Sequence, residues 1–204
     1  TFAEDITATD KSFANLGHLQ NLHYLDLNST DISDAVIEEI NKLPLLDNLR
    51  IGGTNITANA VIQLKLLKKL KTLGIKFIDN PSLILGELRN SEIIEELECG
   101  AASLNEHDIE TLTTMKNLVS IDLYKASAFN NTSLKKLTKL KRLKFLDLRQ
   151  TAVTAESFPI FAKFEKFESL KIDDALWNLS EITLFRKMYP KIRLQVDEIK
   201  SSRR

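Results

Sequence analysis

The sequence predicts an α/β solenoid, a stack of coils that each give one strand to a parallel sheet and one short helix to the opposite side. Three observations predict it. An apolar pattern, L-x-x-L-x-L, returns at nearly constant spacing along the 204 residues. Inside each unit the apolar period changes from two, as in a strand, to about three, as in a helical turn. Finally, a residue able to cap a helix stands ahead of most of the helical halves.

With the first leucine of the pattern as position one, units start at Leu22, Leu46, Leu70, Ile94, Leu118, Leu143 and Phe167. The step is 24 residues except between Leu118 and Leu143, where it is 25. Positions three to six alternate, as in Tyr24-Leu25-Asp26-Leu27, which predicts a half-buried strand. Further on, Ile37, Ile40 and Leu43 fall three apart, as do Ile109, Leu112 and Met115, and Phe158, Phe161 and Phe164. That spacing predicts a short helix with one buried stripe. Ser33, Thr57, Asn105, Thr154 and Ser180 are the expected caps.

Upstream, Phe13, Leu16 and Leu19 match the helical half of another unit, so residues 1–21 read as a partial N-terminal repeat. Residues 22–190 hold seven repeats, and 191–204 a terminal strand, with Leu194 and Val196 in register, and a tail ending SSRR. The whole of 1–204 thus reads as a single solenoid domain, and its opening inside a unit points to a longer parent chain. Two units depart from the pattern. Phe77-Ile78-Asp79-Asn80-Pro81 interrupts the third, and SAFNNTS around Phe129 carries the extra residue of the fifth.

The stretches LHYLDLNSTDIS (22–33) and LDNLRIGGTNIT (46–57) resemble the leucine-rich-repeat family in its variety with a helical convex side. The resemblance covers roughly residues 13–196. It implies a right-handed horseshoe, strands on the concave face and helices on the convex face, stabilised by stacking between neighbours. It also implies a non-enzymatic scaffold that binds a protein through the concave face. The alternative is the substrate-recognition module of a larger enzyme, such as a ubiquitin-ligase receptor or a bacterial effector. Position nine, usually Asn in the family, is Thr30, Thr54, Ile78, Ala102, Ala126, Thr151 and Ala175, so a buried amide ladder is not expected.

Lys and Arg number 28 against 28 Asp and Glu, a balance that counts against nucleic acid as a partner. No run of about 18 apolar residues offers a membrane span. The start, TFAEDITATDKS, has neither a charged n-region nor an apolar h-region. The single cysteine, Cys99, falls at core position six and fits a reducing, cytoplasmic compartment, with a secreted bacterial effector as the alternative. A monomer is expected. The sequons at Asn28, Asn55, Asn130, Asn131 and Asn178 arise mostly from the repeat's own turns.

Side chains at positions two, three, five, seven and eight should project from the strand face in columns about 4.8 Å apart. Units four to six then gather Glu96, Glu98, Asp122, Tyr124, Phe145, Asp147 and Arg149, an acidic and aromatic patch expected to take a basic segment of a protein partner. Large rings on such a face have no core to fill, and Tyr and Arg are enriched among interface hot spots. His23, Tyr24, Asp26 and Arg50 form a secondary patch. Basic residues also gather late in the units, as in KKLTKLKRLK (135–144), and acids at helix starts, as expected from aligned helix dipoles. No carboxylate pair sits where its pKa would be raised for acid–base work. His18, His23 and His107 have no ligand spacing with Cys99, and no phosphate-cradling glycine motif occurs, so neither catalysis, cofactor nor metal is expected.

Overall fold

The structure, a computed structural model, describes residues 8–198; the expectations for the first seven residues and for the SSRR tail lie outside them. Eight parallel strands form one sheet in sequence order: β1 (Tyr24–Asp26), β2 (Asn48–Arg50), β3 (Thr72–Gly74), β4 (Glu96–Glu98), β5 (Ser120–Asp122), β6 (Phe145–Asp147), β7 (Ser169–Asp173) and β8 (Arg193–Asp197). Register follows the repeat. Leu25 stands beside Leu49, Leu73 beside Leu97, and Leu146 beside Leu170. Backbone pairing continues past the short strands. The position-six amides of Leu27, Ile75 and Leu148 donate to Arg50, Glu98 and Lys171 carbonyls at 2.8 Å. The 25-residue step leaves β5 and β6 in register, because the extra residue is absorbed in the turn where Phe129 is buried.

The other side carries α1 (Ile37–Ile40), α2 (Ala58–Val61), α3 (Pro81–Glu87), α4 (Glu106–Leu112), α5 (Asn131–Leu137), α6 (Phe158–Phe161) and α7 (Leu179–Met188), several extended by 3-10 turns. Pro81 opens α3 at its first helical residue, where no N–H is needed, so the Pro-containing departure is a helix start. Ser33, Thr57 and Asn105 cap as expected, and Asn130 caps α5. The last cap is Asn178 rather than Ser180. Asn178 accepts from the Glu181 amide, and Glu181 returns a bond to the Asn178 amide. Ser180 lies inside α7 because the capping box begins two residues earlier.

Acids at helix starts do more than offset dipoles. Asp34 receives both the amide and the hydroxyl of Thr57, the cap of the following coil, at 2.7 and 2.9 Å. Asp10 does the same for Ser33. Asp108, buried, accepts from the Asn105 amide and the Ser82 hydroxyl. Each carboxylate therefore ties one coil to its neighbour. The position-nine threonines likewise replace an amide ladder: Thr30, Thr54 and Thr151 each donate to the carbonyl three residues back, at 2.7–2.8 Å.

One continuous core fills the space between strands and helices. Its first coils are aliphatic. Its last are aromatic, with Trp177 enclosed by Phe158, Phe161 and Phe185 and donating Nε1–H to the Val153 carbonyl at 2.9 Å. Cys99 is fully buried, and burial pushes its thiol up to about 12. A thiol so raised is no nucleophile at neutral pH. At the other end the expectation for Leu19 fails. Leu16 is buried, but Leu19 is 53% exposed, because the chain leaves a short 3-10 turn (Leu16–His18) there instead of continuing as a helix.

Candidate functional site

Positions three, five and seven form the open face of the sheet, as the alternation requires. Its strand ends share one turn. Asp26, Asp122 and Asp147 each accept the amide two residues on, at 2.9–3.1 Å, which holds the carboxylate at the strand terminus. The carboxylates then meet Lys76 from another coil at Asp122, Arg149 of the same coil at Asp147, and the Tyr24 hydroxyl at Asp26.

The secondary and primary patches are joined. Arg50 reaches from β2 over Gly74 to β4, where Nε donates to Glu98 at 2.8 Å and Nη2 lies 3.8 Å from Glu96. Nη1 donates to Asn48, and the guanidinium lies 5.3 Å from the centre of the Tyr24 ring. Tyr24 donates its hydroxyl to Asp26 at 3.1 Å. Lys76 continues the chain of charges, 3.3 Å from Glu98 and 2.7 Å from Asp122. Burial is the largest single influence and opposes charge on Arg50 and Lys76, but hydrogen bonds to Glu98 and Asp122 together with the attraction of the nearby carboxylates outweigh it, so both pKa values rise. His23 is exposed and belongs to neither chain of contacts among the described residues.

A second network closes the other end. Arg149 Nε lies 2.9 and 3.0 Å from the Asp147 oxygens, Nη1 bonds Asp197 on β8, and the guanidinium covers Tyr124 at 5.1 Å. The Asp147 hydrogen bond leads in raising the Arg149 pKa, and Arg149 in turn lowers that of Asp197. Asp147, expected on the solvated face, is buried, since Arg149 folds down over it.

Between the networks Phe145 stands 40% exposed, flanked in its column by Ser120 and Ser169. The small neighbours leave a shallow depression of about 280 Å³ beside the ring, with Glu96 and Asp122 on one side and Lys171 on the other. All seven residues of the predicted patch are thus brought to one face. The sequence reading missed Lys76, Lys171 and Asp197 as members. Lys76 and Asp197 belong to bridges that skip a coil, over a glycine or a turned-down side chain, a pairing that the repeat pattern does not state. All four predicted acids already pair with a resident cation, Glu96 the most loosely at 3.8 Å from Arg50, so the face is less acidic than its acids alone suggested.

The basic edge is also partly matched. Lys136 meets Glu106 and Glu110, Lys141 meets Glu165, and Lys144 meets Glu168. Among the described residues, no three His, Cys, Asp or Glu side chains are grouped to hold a metal ion, and no helix is long and apolar enough to cross a membrane.

The stacked strand-and-helix coils define a leucine-rich-repeat solenoid. An internalin (inlF) from Listeria monocytogenes has a similar structure, with TM-score 0.56 at 18% identity over 89% of this chain. The present chain spans 48% of that one. A TLR13–ssRNA13 complex matches 78% of this chain and 27% of its own, at 21% identity and TM-score 0.49. No protein-family model matches the sequence, and no curated protein matches it.

Proposed function

We propose that this protein is a non-enzymatic scaffold that binds a protein partner through the open strand face, with the contact centred on the depression beside Phe145. The observation that carries the reading is Phe145 itself. A large ring 40% exposed on a strand face adds little to the core, yet its serine neighbours leave room for a partner's side chain to pack against it. Such an aromatic, bordered by charged groups held in place by one another, has the composition of an interface hot spot. Because Glu98, Asp122 and Asp147 are closely paired and Glu96 only loosely, Glu96 is the patch carboxylate best placed for a basic group of the partner. Its side chain is 47% exposed and 3.8 Å from Arg50. The buried, unpaired thiol of Cys99 fits a reducing compartment.

The test is affinity capture with the intact array and with the double variant Tyr124→Ala/Phe145→Ala, both checked by thermal melting. Proteins retained by the wild type should be lost from the variant. An unchanged captured set, with the fold preserved, would refute the reading.

A further inference from the structure

The rim where the chain leaves the strands carries a second arrangement. Position eight of six successive units adopts left-handed backbone: Ser29, Gly53, Phe77, Ala101, Lys125 and Gln150, with φ between 56° and 66°. That region is costly for any residue with a Cβ and most so for bulky ones. Ser29, Gly53 and Ala101 are small, and Gln150 contacts the Tyr124 hydroxyl. Phe77 and Lys125 are bulky and exposed, and Phe77 is 51% accessible, so core packing does not repay their backbone strain.

The two meet each other instead. Across Ala101, the Lys125 ammonium lies 5.9 Å from the centre of the Phe77 ring and 5.2 Å from that of Tyr124. Ring faces attract a cation without neutralising it. Arg149, on Tyr124 as well, has Asp147 and Asp197. Lys125 makes no ion pair among the described residues, so its charge is held in place and still available. Beside Phe77 lies an open groove of about 400 Å³, bounded by Thr54, Ile56, Ile78 and Leu83, with Leu83 itself exposed.

We propose that this rim docks an acidic segment of a protein partner, with a carboxylate on Lys125 and a neighbouring apolar side chain in the groove beside Phe77. The inference takes the class of partner from the function proposed above and shares only Tyr124 with that site. Nucleic acid fits less well. A strand of phosphates needs several uncompensated cations in a row, whereas among the described residues the unpaired cation held on these rings is one lysine, Lys125.

The experiment is a two-dimensional amide NMR titration with three synthetic peptides that alternate leucine with glutamate, glutamine or lysine, and with oligouridylate. The glutamate peptide should shift the amides of Phe77, Leu83 and Lys125. Lys125→Gln should weaken it about two- to fivefold, the range for a rim ion pair, and Lys125→Arg should retain it. Absence of shifts at millimolar peptide, an equal response to the glutamine peptide, or shifts with oligouridylate alone would each overturn the proposal. Amides of Ser120, Phe145 and Ser169 report on the strand face separately, so failure of one site is distinguishable from failure of the other.

Discussion

The two guanidinium networks solve one geometric problem in different ways. Arg50 and Arg149 each bond a carboxylate two strands away, Glu98 and Asp197, across a gap of about 9.6 Å between alternate parallel strands. A direct bridge needs the strand between to get out of the way. On β3 that residue is Gly74, which has no side chain. On β7 it is Asp173, whose side chain turns down to accept the Gln150 and Ala175 amides. The first bridge therefore depends on an absence, the second on a satisfied hydrogen-bonding group. The lesson is that charge on this face is organised between alternate coils, so its chemistry is a property of the stack rather than of any unit.

The largest effect should come from the second kind of support. Asp173→Ala removes acceptors from two amides in a nearly buried setting and releases Gln150, whose φ is 56°. Leaving such donors unpaired costs about 1–3 kcal/mol each, so we expect a loss of about 2–3 kcal/mol by urea unfolding. A loss below about 0.5 kcal/mol, within the usual range for surface changes, would mean that Asp173 only makes room for the bridge.

A smaller effect is expected from Gly74→Leu. A Cβ there would meet Arg50 Cγ at 3.0 Å, and the remaining atoms would occupy the path of the guanidinium. The bridge is only partly buried, so stability should fall by about 1 kcal/mol or less. The sharper readout is the Arg50 Nε–H resonance, shielded by Glu98 in the wild type, which should exchange freely with solvent in the variant. An unchanged resonance would show that Arg50 reaches Glu98 by another route.

These bridges also mark where the sequence stops being legible. Position four and six residues such as Leu49 and Ile75 could be assigned to the core because a period of 24 states their environment seven times. Phe145 could be placed on the open face for the same reason. Burial of Asp147 could not, since it depends on the rotamer of Arg149, and a repeat pattern carries no rotamers. Nor could the pairing of Lys76 with Asp122, which skips a coil and depends on Gly100 being small. Ser180 was misjudged as a cap because Asn178, also able to cap, had the Glu181 partner that completes a box. Leu19 failed because the first described coil follows the apolar spacing without the length to form a helix.

The smallest effect separates the two bridges by pH. Arg149 lowers the pKa of Asp197 below its ordinary value of 3.8 through their hydrogen bond, with a lesser contribution from Gln195. A carboxyl whose folded pKa is depressed contributes stability that is complete above the unfolded value and disappears as pH falls through the folded one. The Asp197 contribution should therefore be constant from neutral pH down to about 4 and decline below it. Asp197 is well exposed, so water screens the pair and the change is modest. Urea midpoints measured from about pH 5 to pH 2 should fall less steeply for Asp197→Asn than for the wild type, with the two curves converging at the acid end. Parallel curves would mean that Arg149 spends its charge on Asp147 alone, and that the bridge across Asp173 holds β8 by geometry without electrostatic gain.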